Sequence, residues 1–442
     1  MTAPIKLNCT SLRHATRFKC IGSACEEDCC HNWKVVLDQA GYKKTKEHLA
    51  QTEAGRLLFR RHVRERRKHQ TAAEYADITL LANGDCPFID PRDRLCVLHR
   101  DFGESCLSKT CRTYPRKLAL VGNRFELSLE LSCPEAARSF LFDPDFDLIQ
   151  IDRSPFTKGN FYISTYPVDA TNPLSQYHDL IRGTVLQLLS IADYPLNSRL
   201  FFASFFANRT VPFFSRQAKN FSEPLLAAEI KLLTNPQLLD ALHGQFETLA
   251  VSADLPIDLP MSFILAILLG RTGKTGSLDQ LLQRIWENYG RENMPEQQKN
   301  TGNQEEFQKI VATYKELRTA TPRAVTERLE SYLDRYSQYF WFSHLYSEAP
   351  NLLIHTRRLF IRLAMLRFLL YSHPEINELR QLSFNANLTA QHQAKIGTVA
   401  VDVFYRLARG IEHDSGLLTK IEQTLDKNNM RDIEHVCLLL LI

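Results

Sequence analysis

The sequence predicts a mainly α-helical protein with a loop-rich, minor-β, cysteine-rich amino-terminal domain and an all-helical carboxyl-terminal domain. Ten of the eleven cysteines lie between Cys9 and Cys133, in a part of the chain with few long helical patterns. From about residue 165 onward, apolar residues recur at three- and four-residue spacing, which is typical of helices. Because 442 residues exceed what a single hydrophobic core usually holds, we expect two domains, residues 1–160 and 161–442.

Composition limits the classes of partner and compartment. The formal net charge of +4 and the pI near 8.4 are too mild to make nucleic acid the main partner. The first residues show neither a secretory nor a transit pattern, and the longest apolar run, residues 261–269, falls short of the roughly 20 residues that a spanning helix needs. We therefore expect a cytoplasmic protein, while peripheral membrane association and oligomerisation stay open.

The amino-terminal domain shows short β signals around one basic helical pattern. Residues Lys34–Leu37 and Asp77–Leu81 are predicted strands, and Leu118–Leu131 is a predicted hairpin that turns at Gly122–Asn123. A basic helix is predicted over Gly55–His69, which either presents a solvated charged face or docks an acidic protein surface or anionic lipid. Its basic residues are Arg56, Arg60, Arg61, Arg64, Arg66, Arg67 and Lys68.

Helical periodicity predicts most of the carboxyl-terminal domain. The predicted helices are Tyr177–Ile191, Pro224–Leu233, Pro236–Ala250, Thr321–Tyr336, Leu352–Leu370 and Val399–Ile411. In the fourth of these, Thr321 is expected to be the N-cap, with Pro322 at the first helical position. The polar stretch Glu287–Glu306 is expected to be a mobile loop.

Two aromatic clusters stand out in this helical part. Their members are Phe201, Phe202, Phe205, Phe206, Phe213 and Phe214, and then Tyr339, Phe340, Trp341 and Phe342. We interpret both as core packing, because aromatic side chains bury large areas. The alternative is an apolar groove for a cofactor ring or a partner helix.

The strongest chemical signal is the crowding of cysteines. Cys20, Cys25, Cys29 and Cys30 lie within eleven residues, and four further cysteine motifs follow. These are Cys86-Pro87-Phe88-Ile89-Asp90, Leu95-Cys96-Val97-Leu98, Thr110-Cys111-Arg112-Thr113-Tyr114-Pro115-Arg116 and Ser132-Cys133-Pro134. Thiolates select zinc or iron–sulfur clusters, so this pattern predicts a metal site.

The number of cysteines exceeds the four that one zinc ion or one [4Fe–4S] cluster uses. If the backbone is extended at Cys29 and Cys30, their side chains point to opposite sides and serve different ions. We interpret Cys9, Cys106 and Cys437 as buried small hydrophobes. His31 and His99 neighbour the cysteines but are left out of the predicted ligands.

Together these motifs resemble a family of cysteine-cluster proteins with a tight cysteine group ending in Cys-Cys, followed by Cys-Pro-Phe-hydrophobic-Asp, Cys-hydrophobic-hydrophobic and Cys-Arg-x-aromatic-Pro. Within that pattern, residues 18–33, the CRTYPR segment at 111–116 and the long helical carboxyl-terminal part resemble the flagellin lysine-N-methylases of enteric bacteria.

The resemblance implies a protein-lysine N-methyltransferase of the bacterial cytosol that uses S-adenosylmethionine to methylate lysine side chains of flagellin. It further implies a [4Fe–4S] cluster held by the cysteines, with zinc as the alternative metal. The positions that match the motifs are Cys20, Cys25, Cys29, Cys30, Cys86, Cys96, Cys111 and Cys133. Cys30 directly follows Cys29, which departs from the spacing of radical S-adenosylmethionine enzymes, so polar displacement and a radical route both stay open.

Two readings without catalysis also stay open: a metal-binding accessory protein, and a redox-sensing interaction protein. No Gly-x-Gly-x-x-Gly motif follows a strand. The sequence therefore locates neither the S-adenosylmethionine pocket nor a catalytic residue.

Overall fold

The computed structural model describes residues 9–442 except 32–34, 69, 144–145, 152–163, 169–172, 215–222, 252–260, 263, 266–267, 269–275, 290–303, 347–348 and 413–414. The chain divides into two compact units. The amino-terminal unit comprises Met1–Asp143 and Asp147–Tyr166, and the helical unit comprises Pro144–Phe146 and Pro167–Ile442. The predicted domain boundary at residue 160 lies outside the described residues.

A five-stranded mixed sheet forms one half of the amino-terminal unit, in the order β7-β1-β6-β5-β8. Its strands are β1 (Cys9–Leu12), β5 (Arg116–Val121), β6 (Arg124–Leu129), β7 (Leu148–Ile151) and β8 (Ser164–Tyr166). The predicted hairpin is confirmed as β5 and β6, which pair antiparallel from Arg116 opposite Leu129 to Val121 opposite Arg124. Gly122 makes the turn with a φ of 59°, a conformation that glycine adopts without steric cost.

A three-stranded antiparallel sheet, in the order β2-β4-β3, forms the other half. Its strands are β2 (Val35–Leu37), β3 (Val63–Glu65) and β4 (Ala76–Ile78). The helices of the unit are α1 (Arg13–Arg17), α2 (Gln39–Leu49), α3 (Glu53–His62), α4 (Val97–Phe102), α5 (Lys109–Thr113) and α6 (Pro134–Phe142). Helices α2 and α3 form a hairpin whose Tyr42, Leu49 and Phe59 pack into the hydrophobic core beneath the small sheet.

The predicted basic helix over Gly55–His69 was wrong at both ends. Helix α3 begins two residues earlier, at Glu53, where the Thr52 hydroxyl accepts a hydrogen bond from the Gly55 amide at 3.0 Å. It ends at His62, because the buried, β-branched Val63 leaves the helix and pairs with Ile78 as strand β3. Tertiary pairing overrides the helical pattern here.

The helical unit contains only helices and loops among its described residues. These helices are α7 (Pro173–Gln176), α8 (His178–Leu189), α9 (Leu196–Phe214), α10 (Glu223–Leu232), α11 (Pro236–Val251), α12 (Ser277–Glu287), α13 (Gln304–Thr319), α14 (Arg323–Ser343), α15 (Leu352–Tyr371), α16 (Pro374–Leu379), α17 (Ala390–Glu412), α18 (Ser415–Lys427) and α19 (Ile433–Leu438). The predicted fold class, mainly helical with a minor-β cysteine-rich part, is confirmed.

Helix α15 is the axis of this unit and is buried on all sides. It packs against α9, α14, α17 and α19. Burial forces its arginines to find partners inside the protein. Arg367, fully buried, binds Glu330 with Nη2 at 2.9 Å from Oε2, and Arg357 binds Asp426 at 2.8 Å. Although burial opposes the charge of Glu330, Arg367 holds the pKa of that carboxyl below its ordinary value.

Details of the helical predictions need correction at Thr321. The N-cap of α14 is Pro322, and the Thr321 hydroxyl instead donates to the Leu317 carbonyl at 2.7 Å, in the preceding helix. Most of the expected loop at 287–306, residues 290–303, lies outside the described residues. Core packing is confirmed for Tyr339–Phe342, which are all buried.

The phenylalanines of the first aromatic cluster, residues 201–214, differ in burial. Phe201, Phe202 and Phe206 are buried, as core packing requires. Phe205 and Phe213 are only partly covered.

No described helix has both the length and the apolar composition that crossing a membrane would take.

We predict that Gly55→Ala destabilises the helical hairpin of the amino-terminal unit by about 1–3 kcal/mol, through overpacking. A Cβ atom at Gly55 would lie 2.2 Å from the Leu49 carbonyl oxygen, which is backbone and cannot rotate away. Denaturant unfolding of the full chain measures the change.

Gly183→Ala is the control, since a Cβ at Gly183 in α8 meets no atom within 4 Å. It should stabilise the protein by about 0.5–1 kcal/mol through helix propensity. Equal effects of the two substitutions would contradict the close approach at Gly55.

Candidate metal-binding site

Two cysteine segments that are distant in sequence are joined by backbone pairing. The Cys86 amide donates to the Cys30 carbonyl at 2.8 Å, and His31 forms an isolated β-bridge with Asp85. Phe88, 1% exposed, anchors the second segment in the hydrophobic core. The Cys-Pro-Phe motif therefore uses its aromatic residue to fix Cys86 beside Cys30.

An ionic network, here called the Arg94 network, fastens the same two segments through side chains. Its members are Asp28, His31, Asp85 and Arg94. The Arg94 guanidinium donates to Asp85 at 2.8 and 3.0 Å and to Asp28 at 3.2 Å. Asp28 in turn accepts from the Cys30 amide at 3.1 Å, and His31 Nδ1 lies 2.7 Å from Asp85. Each carboxylate thus joins a cysteine segment to one guanidinium.

Arg94 makes these contacts from an unusual backbone conformation. Its φ is 58°, in the left-handed region that non-glycine residues rarely adopt. The Arg94 amide donates to the Asp90 carbonyl at 2.9 Å, which closes the turn before Cys96. We infer that the two carboxylates compensate for the cost of this conformation. Hydrogen bonds from Arg94 are also the main reason why the pKa of Asp85 lies well below its ordinary value.

The carboxylate of the Cys-Pro-Phe-Ile-Asp motif, Asp90, closes the neighbouring turn. Asp90 accepts from Arg92 Nη2 at 2.7 Å, from the Arg92 amide at 3.0 Å and from Arg100 at 2.9 Å. These bonds, Arg92 first, hold the pKa of Asp90 well below its usual range. The motif's Asp therefore shapes the loop that carries Cys96.

Five thiols meet where these segments join, and we call them the thiol cluster: Cys29, Cys30, Cys86, Cys96 and Cys111. Their proximity shows in their interactions, because the Cys30 thiol is hydrogen-bonded to both Cys29 and Cys96. Cys111 interacts electrostatically with Cys96 and Cys29. Four of the five, all but Cys29, also belong to or pack against one hydrophobic core.

The expectation that Cys29 and Cys30 point to opposite sides was wrong. The backbone bends at both residues instead of running extended, and their sulfurs lie 4.0 Å apart. The bend follows from the Asp28 side chain, which accepts the Cys30 amide two residues along the chain.

Two of the other three motif cysteines, Cys25 and Cys133, lie beside this cluster. Cys133 is the N-cap of α6 and interacts with Cys25 and Cys29. Cys20 lies in the loop before Cys25, and its sulfur accepts the Gly22 amide at 3.4 Å. The structure thus links seven of the eight predicted ligands through Cys29 and its neighbours, and for Cys20 it gives only the electrostatic neighbour Arg116.

Backbone amides point at the sulfurs in a repeated manner. The amide two residues after the cysteine donates to Cys20, Cys86, Cys96 and Cys133. At Cys96 and Cys133 the third amide donates as well, since both cysteines precede a helix. Such donors stabilise negative sulfur, so this part of the chain is built to hold thiolates and fits a metal-bound state.

Without metal, burial opposes ionisation of most of these thiols. It raises the pKa of Cys86, Cys111 and Cys133 to about 12. The pKa of Cys96 is lowered instead, because the neighbouring Cys30 thiol donates a hydrogen bond to its sulfur. Metal binding would therefore release protons from the buried thiols.

The three cysteines interpreted as structural lie elsewhere. Cys9 is in β1, Cys437 bonds to Ser204 in the helical unit, and Cys106 donates to the Phe102 carbonyl at 3.6 Å; all three are buried. Of the two histidines left out, His31 is bound to Asp85 and His99 is exposed on α4.

Sequence reasoning missed Asp28, Asp85 and Arg94. A signal was present, since an aspartate stands directly before Cys29 and before Cys86, and Arg94 stands two residues before Cys96. That pattern could only be read as an ionic network once the segments were seen side by side.

Fold and site together define a mainly helical protein with a cluster of closely placed cysteine side chains in its amino-terminal unit. Residues 182–439, more than half of the chain, match the family model of the FliB lysine N-methylase C-terminal domain. The chain belongs to this family, which confirms the resemblance to lysine-N-methylases.

Similar proteins come from Salmonella. A lysine-N-methylase of Salmonella typhimurium is 36% identical over 142 residues, 32% of this chain and 34% of that protein. A lysine-N-methylase of Salmonella choleraesuis is 35% identical over the same length. The flagellar biosynthetic protein FliU of Salmonella muenchen is 35% identical over 142 residues, which cover 80% of it. The chain thus matches about a third of the length of the two lysine-N-methylases.

No solved structure matches the chain.

We predict that Arg94→Gln lowers metal affinity about tenfold, as is typical when a residue that orients metal ligands is lost. Glutamine is a shorter, unbranched polar side chain that removes the charge shared by Asp28 and Asp85. The measurement is metal content after dialysis against a chelator.

Arg92→Gln is the matched control, because Arg92 is 84% exposed and Asp90 keeps Arg100 as a partner. It should retain metal as the wild type does. Equal retention in the two variants would refute the role of the Arg94 network.

We predict that Asp90 makes the amino-terminal unit acid-sensitive. Its pKa is lower in the folded chain than the value of about 3.9 expected when unfolded, so its stabilisation is complete above that value and is lost as the pH falls below it. Asp90→Asn should flatten the fall in denaturation midpoint between neutral pH and pH about 3.

The control is Asp193→Asn, an exposed carboxylate in the helical unit. It should leave the pH profile unchanged. A wild-type profile with no acid limb would contradict this role for Asp90.

Proposed function

We propose that the protein is a protein-lysine N-methyltransferase that transfers methyl groups from S-adenosylmethionine to lysine side chains of flagellin. We further propose that its amino-terminal cysteines hold a [4Fe–4S] cluster. The observation that carries the activity is membership of the lysine N-methylase family over residues 182–439. The names of the relatives, lysine-N-methylase and a flagellar biosynthetic protein, support a flagellar substrate.

The spacing of the thiols matches a single zinc ion for pairs and not for three at once, since the sulfurs of Cys29 and Cys30 lie 4.0 Å apart. Sulfurs on one tetrahedral zinc lie about 3.8 Å apart, since each Zn–S bond is about 2.3 Å. Within the described part of the chain, any three of the cysteine sulfurs spread wider than 4.8 Å. Zinc remains the alternative and would need the side chains to move closer together.

The candidate ligands are the eight motif cysteines, with the five of the thiol cluster as the centre of the set. Bound there, an iron–sulfur cluster would hold the cysteine-bearing loops together and would supply electrons where the reaction needs them. The chain's own residues do the positioning: Phe88 anchors the Cys86 turn, and the Arg94 network holds it against Cys29 and Cys30.

Methyl transfer itself sets a requirement for the acceptor. At pH 7 a lysine with a pKa of about 10.4 is neutral roughly once in 2,500 molecules, a cost of about 4.6 kcal/mol that desolvation or a base must offset. The neutral nitrogen donates its electron pair to the methyl carbon, the carbon–sulfur bond breaks toward sulfur, and the nitrogen then releases a proton. This displacement needs alignment and no electron transfer, so the cluster can be structural.

We expect protein purified without oxygen to be brown and to contain iron and sulfide. Cys111→Ser should lose this metal and destabilise the amino-terminal unit, because Cys111 belongs to the thiol cluster. Cys437→Ser should keep the metal, because Cys437 lies in the helical unit against Ser204. Iron, sulfide and zinc analysis measures the outcome, and a colourless protein with stoichiometric zinc would overturn the cluster.

Mass spectrometry tests the reaction separately. Metal-loaded protein incubated with S-adenosylmethionine and flagellin should add methyl groups to flagellin lysines, and omitting S-adenosylmethionine should abolish the shift. If fully loaded protein adds no methyl group, the accessory or redox-sensing interpretation takes its place.

A further inference from the structure

The outer face of the α2–α3 hairpin and the chain that follows it form a strongly basic surface. We call this the basic surface; its exposed residues are Lys43, Lys44, Lys46, Arg56, Arg60, Arg61, Arg64, Arg67 and Lys68. Four exposed carboxylates lie nearby, Glu47, Glu53, Glu65 and Glu74. The excess of positive charge here is at least as large as the net +4 of the whole chain.

Most of these cations are not used within the fold. Among the residues that the structure describes, the side chains of Arg60, Arg61, Lys43 and Lys44 make no hydrogen bond or ion pair. Arg66 shows the contrast, because its guanidinium binds Asp77 at 2.9 and 3.0 Å and also binds Glu74. Arg66 is therefore bound within the fold, whereas Arg60 and Arg61 face solvent.

The nearby carboxylates offset only part of this charge, because four of them stand against nine cations. Glu65 accepts hydrogen bonds from the Tyr42 and Tyr75 hydroxyls at 2.7 and 3.2 Å, and Glu74 is taken by Arg66. Unpaired like charges repel one another, and that repulsion is relieved when an anionic partner binds.

We propose that the basic surface docks an acidic face of the methyl-acceptor protein. Guanidinium groups bind carboxylates through two parallel hydrogen bonds, so Arg60 and Arg61 suit a surface rich in Asp and Glu. Identification of the partner as the methyl acceptor rests on the proposed function; the acidic character of the partner rests on charge alone.

A membrane fits this surface less well. Helices that bind lipid insert an apolar face. In α3 that face, with Gly55 and Phe59, is buried in the protein core, and Leu57, 61% exposed, is the large apolar side chain left outside. Attraction at this surface is therefore mainly electrostatic.

The basic surface has a fixed position relative to the thiol cluster. Tyr42 and Phe59, on the inner side of the hairpin, belong to the same hydrophobic core as Cys86 and Phe88. A partner docked on the outer side is thereby held at a constant distance from the cysteines.

The test compares two double charge reversals in the full-length, metal-loaded protein. Arg60→Glu/Arg61→Glu alters the basic surface, and Lys420→Glu/Lys427→Glu, with both lysines exposed on α18, makes the same change in charge elsewhere. Binding of a short poly-L-glutamate peptide is measured over a range of salt concentrations, alongside flagellin methylation kinetics.

The first reversal should weaken peptide binding about tenfold and reduce its salt dependence, while raising KM for flagellin and leaving kcat unchanged. The second should leave all of these values as in the wild type. Equal effects of the two reversals would overturn the inference, and so would stronger wild-type binding to phosphatidylglycerol vesicles or duplex DNA than to the peptide.

The two proposals can fail separately. If flagellin is not methylated but the peptide binds and Arg60→Glu/Arg61→Glu abolishes this binding, the surface stands and the proposed substrate falls. If flagellin is methylated with the same KM by both reversals, the docking surface falls and the enzyme assignment stands.

Discussion

The ion pairing of Arg94 with Asp28 and Asp85 is the interaction on which the candidate site depends, because it fastens through side chains two segments whose backbones pair at an isolated β-bridge. Each carboxylate directly precedes a cysteine of the thiol cluster, so the guanidinium sets the spacing of the sulfurs through two short links. Arg94 itself is held in a left-handed conformation. A loop-rich unit can thus place thiols accurately with few regular elements, provided that its charges are matched.

The two units solve the problem of buried polarity in different ways. In the helical unit, the buried Arg357 and Arg367 of α15 each meet a carboxylate, and the paired charges lie among packed aromatic side chains. In the amino-terminal unit, the clustered polar groups are thiols. Backbone amides that follow the cysteines donate hydrogen bonds to the sulfurs and so stabilise negative charge on them. In the helical unit the paired groups neutralise each other's charge, whereas the thiols of the amino-terminal unit fit a bound metal.

The hydrophobic core beneath the small sheet supports both the cysteines that we propose bind metal and the basic surface that we propose binds the partner. It contains residues of the α2–α3 hairpin on one side and cysteines on the other. Loss of metal would therefore loosen the support of the basic surface, and a partner that binds the basic surface would favour the ordered core. The proposed cluster and the proposed docking surface meet in this one structural element.

The sequence by itself determined the fold class and six helices of the second unit, and it supplied the candidate metal ligands, because periodicity and cysteine spacing are local properties of the chain. Tertiary structure decided where the pattern was ambiguous: Val63 left a helical pattern to pair with Ile78, and Thr321 bonded backward instead of capping α14. It also decided that Cys29 and Cys30 turn their sulfurs together, and that Arg94 lies between Asp28 and Asp85. Such contacts join residues far apart in sequence, and local preference carries no information about them.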